Sequence, residues 1–437
     1  GIRMRDAEVQ RLVSEIHGVR RSTGQHPGGI VVVPHDIDIY DITPIQYRAD
    51  DVKSSWRTTH FDYHSFENNL FKIDVLGHDN PTVIKDLMDY VKINPTEFPF
   101  DKVYDIPMVD KGVISLLSGT GELRLKGDIM TKVGTYGLPE LGTNFVRQML
   151  TDTNPKNFSE LVKISGLSHG TDVWLNNAKD LVQDKHPEFG KIAFKDVIGC
   201  RDDIMIYLMY QGLDPEDAYD ITETARRTGK YLSDAQKQLM KDKGIPNWYI
   251  WSCDQIKYMF PKAHATAYVV EALRIAWFKV HRPIYFYATY FSRRADHFDV
   301  SAFLGGYDGI KERILELKSQ IKMSDKDQRL ITVLEIALEM CSRGFKFTNI
   351  DLNMSQATEF VISSDKKSLI LPFVTVDSLG RNVADSICTA RVEGEFNSIE
   401  DLKKRTRLSK TLIKRFKDLG VVKELDEKEE GNQMSLF

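Results

Sequence analysis

Phe71-Lys72-Ile73-Asp74-Val75-Leu76-Gly77 is the stretch from which the rest of the chain can be read. Alternation puts Phe71, Ile73 and Val75 on one face of a strand predicted over 70–75, and Lys72 and Asp74 on the other. A carboxylate flanked by apolar residues is costly to bury unless it pairs with a charge or binds a metal. Two readings follow. One is an ion pair between Lys72 and Asp74 at a sheet edge. The other makes Asp74 a ligand of Mg²⁺, a hard cation held by a few carboxylates, substrate phosphates and water wherever phosphoryl or nucleotidyl groups are transferred.

Upstream, Val9, Leu12, Val13 and Ile16 recur at helical spacing within Asp6 to Gly18. Arg20-Arg21-Ser22-Thr23-Gly24-Gln25-His26-Pro27-Gly28-Gly29 is a basic, glycine-rich turn, and Ile30 to Val33 reads as a strand buried on both faces. Glycines let a backbone approach either a phosphate or another strand, so Arg21, His26, Gly28 and Gly29 belong to a substrate-contacting turn or to a tight turn entering the strand. Asp36-Ile37-Asp38 has the spacing of two carboxylates on one strand face. It follows Pro34-His35, just past the strand predicted over 30–33.

Downstream to about residue 300 the pattern is mainly helical. Helices are predicted over 83–91, 142–150, 158–164, 171–181, 203–210, 217–224 and 263–279, the last closed by Arg282-Pro283. Past Asp299 the composition shifts, with helices over 310–321 and 325–343, a β-like Phe360-Val361-Ile362, and paired short helices from Val374 to Val422. Residues 423–432 are acidic and read as flexible. The chain has 437 residues, 42% hydrophobic and 28% charged, with 59 Lys+Arg against 63 Asp+Glu and a formal net charge of −4. That composition excludes a predominantly disordered chain and gives no whole-chain electrostatic sign of nucleic acid. Cysteines at 200, 253, 341 and 388 are too scattered for a zinc ribbon or a disulfide framework, which points to a cytoplasmic setting. No run of eighteen apolar residues is present, so no membrane span is predicted. Gly1-Ile2-Arg3-Met4-Arg5 carries no signal-peptide pattern and reads as the interior of a longer chain.

Thr23 to Pro34 and Phe71 to Asp79 together closely resemble the C-terminal part of bacterial replicative DNA polymerase III α subunits of the PolC type. Further stretches extend the resemblance over nearly the whole chain: Phe145 to Leu150, Ile164 to Asp172, Ile198 to Asp203 and Phe260 to Ala265. It implies a multidomain α+β fold, predominantly helical. Residues 1–80 would be the second half of a nucleotidyltransferase-type palm with the end of a thumb at 1–18, residues 81–300 helical fingers, residues 301–422 a duplex-binding region with a helix-hairpin-helix, and 423–437 a flexible tail. The implied activity is Mg²⁺-dependent nucleotidyl transfer from dNTP to a primer 3′-hydroxyl, using two ions and three aspartates. Asp74 matches the third of these, in a Lys-x-Asp context with Lys72. The other two are expected upstream of Gly1 and not at Asp36 and Asp38, where the resemblance implies a connecting loop. The chain alone is therefore expected not to polymerise; the alternative reading is a non-catalytic DNA-binding, clamp-docking module. Implied partners are primer-template DNA, dNTP, the sliding clamp and other replisome subunits.

Within the helical middle, Ser165, Ser168, His169, Arg201, Lys262 and His264 supply hydroxyls, cations and helix starts suited to a triphosphate. Singly, His169 and His264 also fit capping or core roles, and Arg201-Asp202-Asp203 fits a local ion pair. Tyr258, Phe260 and Tyr268 fit either stacking near a base pair or plain packing. Under the resemblance, Arg21, His26, Gly28 and Gly29 touch primer or nucleotide.

Val376 to Ile387 resembles a helix-hairpin-helix, with Ser378, Leu379, Gly380 and Arg381 at the hairpin and Ser378 in place of the usual first glycine. From Lys403 to Lys417 come eight basic residues and no acidic one. Lys403, Lys404, Arg405, Arg407, Lys410 and Lys414 among them read as a solvated face or as sequence-independent grip on duplex DNA. The terminal Gln433-Met434-Ser435-Leu436-Phe437 resembles a clamp-binding peptide, with Gln433, Met434, Leu436 and Phe437 as its anchors.

Overall fold

A computed structural model describes residues 4–19, 24–26, 28–48, 51–227 and 230–427. The chain divides between His78 and Asp79 into two compact units.

In the first unit, α1 (Asp6–Ile16) is amphipathic, yet none of its residues is buried. β1 (Gly29–Val32) precedes β2 (Ile45–Tyr47) and β3 (Arg57–Thr59), which pair antiparallel, and β4 (Phe71–Asp74) returns antiparallel to β1 with Gly29 opposite Asp74 and Val31 opposite Lys72. The expectation that 30–33 is buried on both faces is overturned. On one face of the two-stranded sheet, Lys72 lies over the Tyr63 ring. Ile30, Val32, Phe71 and Ile73 share the other face and are all exposed. Asp36 and Asp38 are not on a strand: Asp38 caps the short turn Ile39–Asp41, accepting from Tyr40 N at 3.0 Å.

The second unit is helical. It runs through α2 (Asn80–Ile93), α3 (Lys111–Ser115), α4 (Asn144–Thr153), α5 (Phe158–His169), α6 (Lys179–Val182), α7 (Arg201–Tyr210), α8 (Pro215–Ala225), α9 (Asp234–Asp242) and α10 (Asn247–Gln255). Then come α11 (Lys262–His281), α12 (Pro283–Arg293), α13 (Val300–Leu304), α14 (Gly306–Lys318) and α15 (Asp325–Ser342). The core sits around α11 and α12. α12 is buried from Ile284 to Phe291, and α11 packs on α2, α5 and α12. Pro283, expected to mark a helix stop, does end α11, but it also opens α12 at its first position, where its missing N–H costs nothing.

The helix predicted over 171–181 is broken. Leu175, Asn176 and Asn177 leave helical geometry, and the buried Asn177 amide donates to Asp172 O and Ser252 O while accepting from Ser252 Oγ at 2.6 Å. Satisfying a buried amide against α10 outweighs the intrinsic helical pattern. The unpredicted α9 begins with a Ser233/Gln236 capping box.

β5 (Lys346–Thr348), β6 (Val361–Ile362) and β7 (Ser368–Ile370) form a small mixed sheet in the order β5-β7-β6. Last come α16 (Arg381–Val392), α17 (Ile399–Arg405) and α18 (Lys410–Asp418). No helix among the described residues is long and apolar enough to cross a membrane.

Candidate functional site

Three groups of side chains hold the residues singled out from the sequence. The first surrounds Asp74 at the end of β4. Its carboxylate lies 3.4 Å from Lys72 Nζ and 3.8 Å from His26 Nδ1, with 45% of the side chain exposed. An ion pair this open stabilises by at most about 1 kcal/mol, so Asp74 can exchange a cationic neighbour for another cation at little cost. The glycines serve this geometry directly. A Cβ on Gly28 would stand 2.1 Å from Val75 O, and one on Gly29 would stand 2.8 Å from His26 Nδ1 and 3.2 Å from Asp74 Oδ1. Their close approach is therefore to the partner strand and to His26, whose Nδ1 accepts from Gly28 N at 3.2 Å. Arg21 lies outside the described residues.

The second group gathers at the N-termini of α7 and α11. Arg201 N donates to Phe260 O, and the Phe260 ring stacks on His264 at 4.6 Å and meets His169 edge-on. Asp202, one residue on, accepts from Lys262 N at 2.6 Å and so caps α11. Asp203 caps α7 by accepting from the Gly199 and Cys200 N–H groups, and its other oxygen takes Lys262 Nζ at 3.1 Å. The Asp203 carboxylate holds the Lys262 ammonium above the ordinary lysine value, so Lys262 is charged at neutral pH. Both aspartates are engaged with Lys262, and no ion pair of either with Arg201 is found among the described residues.

His169 has an acceptor at both ring nitrogens, Glu140 Oε2 at 2.7 Å and Ser165 O at 2.8 Å, and the Glu140 hydrogen bond raises its pKa. That arrangement suits the imidazolium form. Ser168 Oγ is turned back to Ser165 O. Ser165 itself is a correction: it is buried in α5, so its hydroxyl does not face a surface where a phosphate could sit.

Two residues of this group escaped sequence reading. Glu140 carries no local motif and meets His169 only through the fold. Lys163 donates to Lys195 O and Val197 O and stands 4.0 Å from Asp203. A lone lysine within Leu161-Val162-Lys163-Ile164 was the signal that could have found it.

The third group is the C-terminal hairpin. Ser378 adopts φ +63°, the left-handed conformation that a glycine supplies freely, and Gly380 N-caps α16. Leu379 is buried, whereas Arg381 is 77% exposed. Phe373 stacks on Phe416 of α18, and Arg415 reaches Asp377 at 3.0 Å, tying the hairpin to the last helix. Lys403, Lys404, Arg407, Lys410 and Lys414 are exposed. Arg405 differs from them: its guanidinium donates to Ala390 O, Gly394 O and Glu395 O and pairs with Asp401, so it clamps α17 to the end of α16. Gln433, Met434, Leu436 and Phe437 lie outside the described residues.

Cys200, Cys253, Cys341 and Cys388 are all free thiols, and burial pushes Cys200 and Cys341 up to about 12. No group of three or more His, Cys, Asp or Glu suited to a metal occurs among the described residues.

Comparison with known families adds three matches. Residues 1–77 match the bacterial DNA polymerase III alpha NTPase domain, residues 80–247 the bacterial DNA polymerase III alpha subunit finger domain, and residues 344–431 a helix-hairpin-helix motif. Curated proteins named DNA polymerase III PolC-type are similar throughout. The one from Oceanobacillus iheyensis is 53% identical over 437 residues, that from Listeria monocytogenes 51% over 436, and that from Bacillus subtilis 50% over 438. Each alignment takes in at least 99% of this chain but only 29% of the relative.

Proposed function

The chain belongs to the bacterial DNA polymerase III α-subunit family, and from that premise we propose that, within a protein of the relatives' length, it carries part of the machinery for templated transfer of a nucleotide from dNTP to a primer 3′-hydroxyl. The observation that carries this reading is Asp74: a half-exposed carboxylate on a strand, next to Lys72, inside the aligned span. Asp74 offers a hard oxygen donor of the kind Mg²⁺ takes, and one carboxylate suffices as one ligand for an ion that keeps several waters and binds substrate phosphates. It fits as part of a metal site rather than the whole of one. When bound, such ions lower the pKa of an attacking hydroxyl and neutralise charge on the leaving pyrophosphate.

The chain's own residues do the rest. Lys72, over the Tyr63 ring at 4.9 Å, fixes the Asp74 carboxylate from one side and His26 flanks it on the other. In the second unit, Arg201, Lys262 and His264 stand at neighbouring helix starts, Lys262 held by Asp203 and His264 stacked on Phe260, an arrangement of two cations and an imidazole that suits triphosphate oxygens. Lys262→Ala, in a chain extended to the length of the relatives, is expected to raise KM for dNTP about 10- to 100-fold, the loss of one charge-assisted hydrogen bond, with a smaller change in kcat. Steady-state incorporation on a primed template measures this, and an unchanged KM removes Lys262 from the site.

The hairpin and the exposed lysines of α17 and α18 support duplex binding without base reading, which the isolated chain retains even without polymerisation. Lys410→Ala with Lys414→Ala is expected to weaken duplex binding equally for unrelated sequences and to flatten the salt dependence by about 0.9 per lost phosphate contact. Anisotropy titrations at several salt concentrations test it; an unchanged slope places the DNA elsewhere. Gln433, Met434, Leu436 and Phe437 are proposed to dock on the sliding clamp as a short apolar motif. The setting proposed is the cytoplasm, with replisome subunits as further partners.

A further inference from the structure

A cavity of about 670 Å³ opens in the second unit beside the Arg201–His264 cluster, sharing Asp203 and Lys262 with it. Its volume lies in the range of sites that enclose nucleotide-sized ligands. One wall is aromatic: Tyr207 stacks on the buried Tyr249 at 4.4 Å, Trp248 meets Tyr249 edge-on, and Tyr210, one helical turn beyond Tyr207, stands 85% exposed at the mouth. The facing loop brings Lys191 and Lys195 to the same cavity, both exposed, and neither makes an ion pair among the described residues. Of the acidic groups that line it, Asp203 is already taken up by Lys262 and two backbone N–H groups, and the exposed Asp196 stands against Lys163, Lys191, Lys195 and Lys262, so the lining carries more positive than negative charge.

A large tyrosine ring left in water next to unpaired ammonium groups needs an explanation. Packing does not supply one, since Tyr210 touches too little to stabilise the fold. Stacking platforms flanked by backbone-neutralising cations are what sequence-independent single-strand binders present. We infer that this cavity binds an unpaired nucleotide of a single nucleic-acid strand, its base stacked against Tyr210 and Trp248 and its phosphates on Lys191 and Lys195. The cavity shares Lys262 and Asp203 with the phosphate cluster, but Tyr210, Trp248, Lys191 and Lys195 lie outside that cluster, so the inference on these four stands whether or not the cluster binds dNTP.

The test uses the 437-residue chain, a labelled oligo(dT) of about 15 nucleotides, a duplex of the same length and free dTMP. Tyr210→Ser is expected to weaken oligo(dT) binding about tenfold, the loss of one stacked base, and to leave duplex binding within twofold. Lys191→Ala with Lys195→Ala should weaken oligo(dT) binding and reduce its salt dependence. Oligo(dT) should also quench tryptophan fluorescence in the parent and much less in Trp248→Phe. Binding of oligo(dT) within twofold of the parent in both the Tyr210 and the lysine variants overturns the inference, as does quenching that survives in Trp248→Phe. Saturation by free dTMP at the same nucleotide concentration as the oligomer overturns the single-strand assignment in favour of a free nucleotide.

Discussion

Glu339→Gln is expected to destabilise the second unit by about 3–5 kcal/mol, because it leaves an ammonium in the core with no counter-charge. Lys279 and Glu339 are both 0% exposed and pair at 2.8 Å. Lys279 Nζ also donates to Tyr136 O, Tyr287 Oη donates to Glu339 at 2.7 Å, and Arg343 bridges Lys279 O and Tyr287 Oη. The pair thus joins α11, α12, α15 and the segment before α4 at one point. Burial draws the Lys279 ammonium down to about 8, against a proximity to Glu339 that raises it. A lysine with a lowered folded value binds fewer protons than the unfolded chain between about pH 8 and its ordinary 10.5. Its contribution to stability therefore rises with pH across that window, and below it the buried charge carries its full desolvation cost.

Chemical denaturation of the parent, Glu339→Gln, Lys279→Met and the double variant Lys279→Met/Glu339→Leu checks the claim. Each single variant should lose far more than the double, since replacing both partners by apolar side chains removes the unpaired charge. The rise between pH 8 and 9.5 should vanish in Lys279→Met. Additive losses would mean that the two groups act independently.

Asp74→Ala is expected to cut nucleotidyl transfer at least about 10³-fold in a chain of the relatives' length, because several kcal/mol of transition-state charge stabilisation depend on a correctly held cation. Binding of primer-template should change little. Asp74 is half exposed and its pairing with Lys72 is weak, so removing it neither unfolds the strand nor exposes a core. Lys72→Ala should cost less than Asp74→Ala, as the lysine acts on the carboxylate and on its orientation rather than holding the ion.

How much of this was legible from residues alone varies with how local the cause is. β4 and most of the long helices were readable, because alternation over Phe71 to Val75 and the apolar spacing of 203–210 and 263–279 are properties of consecutive residues. The break at Asn176 was not, since it is caused by hydrogen bonds exchanged between the Asn177 amide and Ser252, on a helix 75 residues away. The exposure of Ile30 and Phe71 was equally hidden: a β-branched run states that a surface is apolar, not whether anything lies on it.

At the site, Asp74 and the α7 and α11 starts stood out through sequence pattern. The assignment of Asp202 to α11 and Asp203 to both Lys262 and α7 needed the fold, and so did the diversion of Arg405 into carbonyls. The 403–417 run reads as uniformly basic in one dimension. Only packing shows that Arg405 is turned inward while Lys410 and Lys414 stay out.

The most direct test of the catalytic reading is a single-turnover measurement of one dNTP added to a primed template with Mg²⁺, comparing Asp74→Ala with the parent in a chain of the relatives' length, with template affinity measured on the same samples. The account predicts a rate lower by at least about 10³-fold and an affinity within about threefold. A rate within tenfold of the parent at equal affinity would contradict it, leaving Asp74 as no more than the ion-pair partner of Lys72.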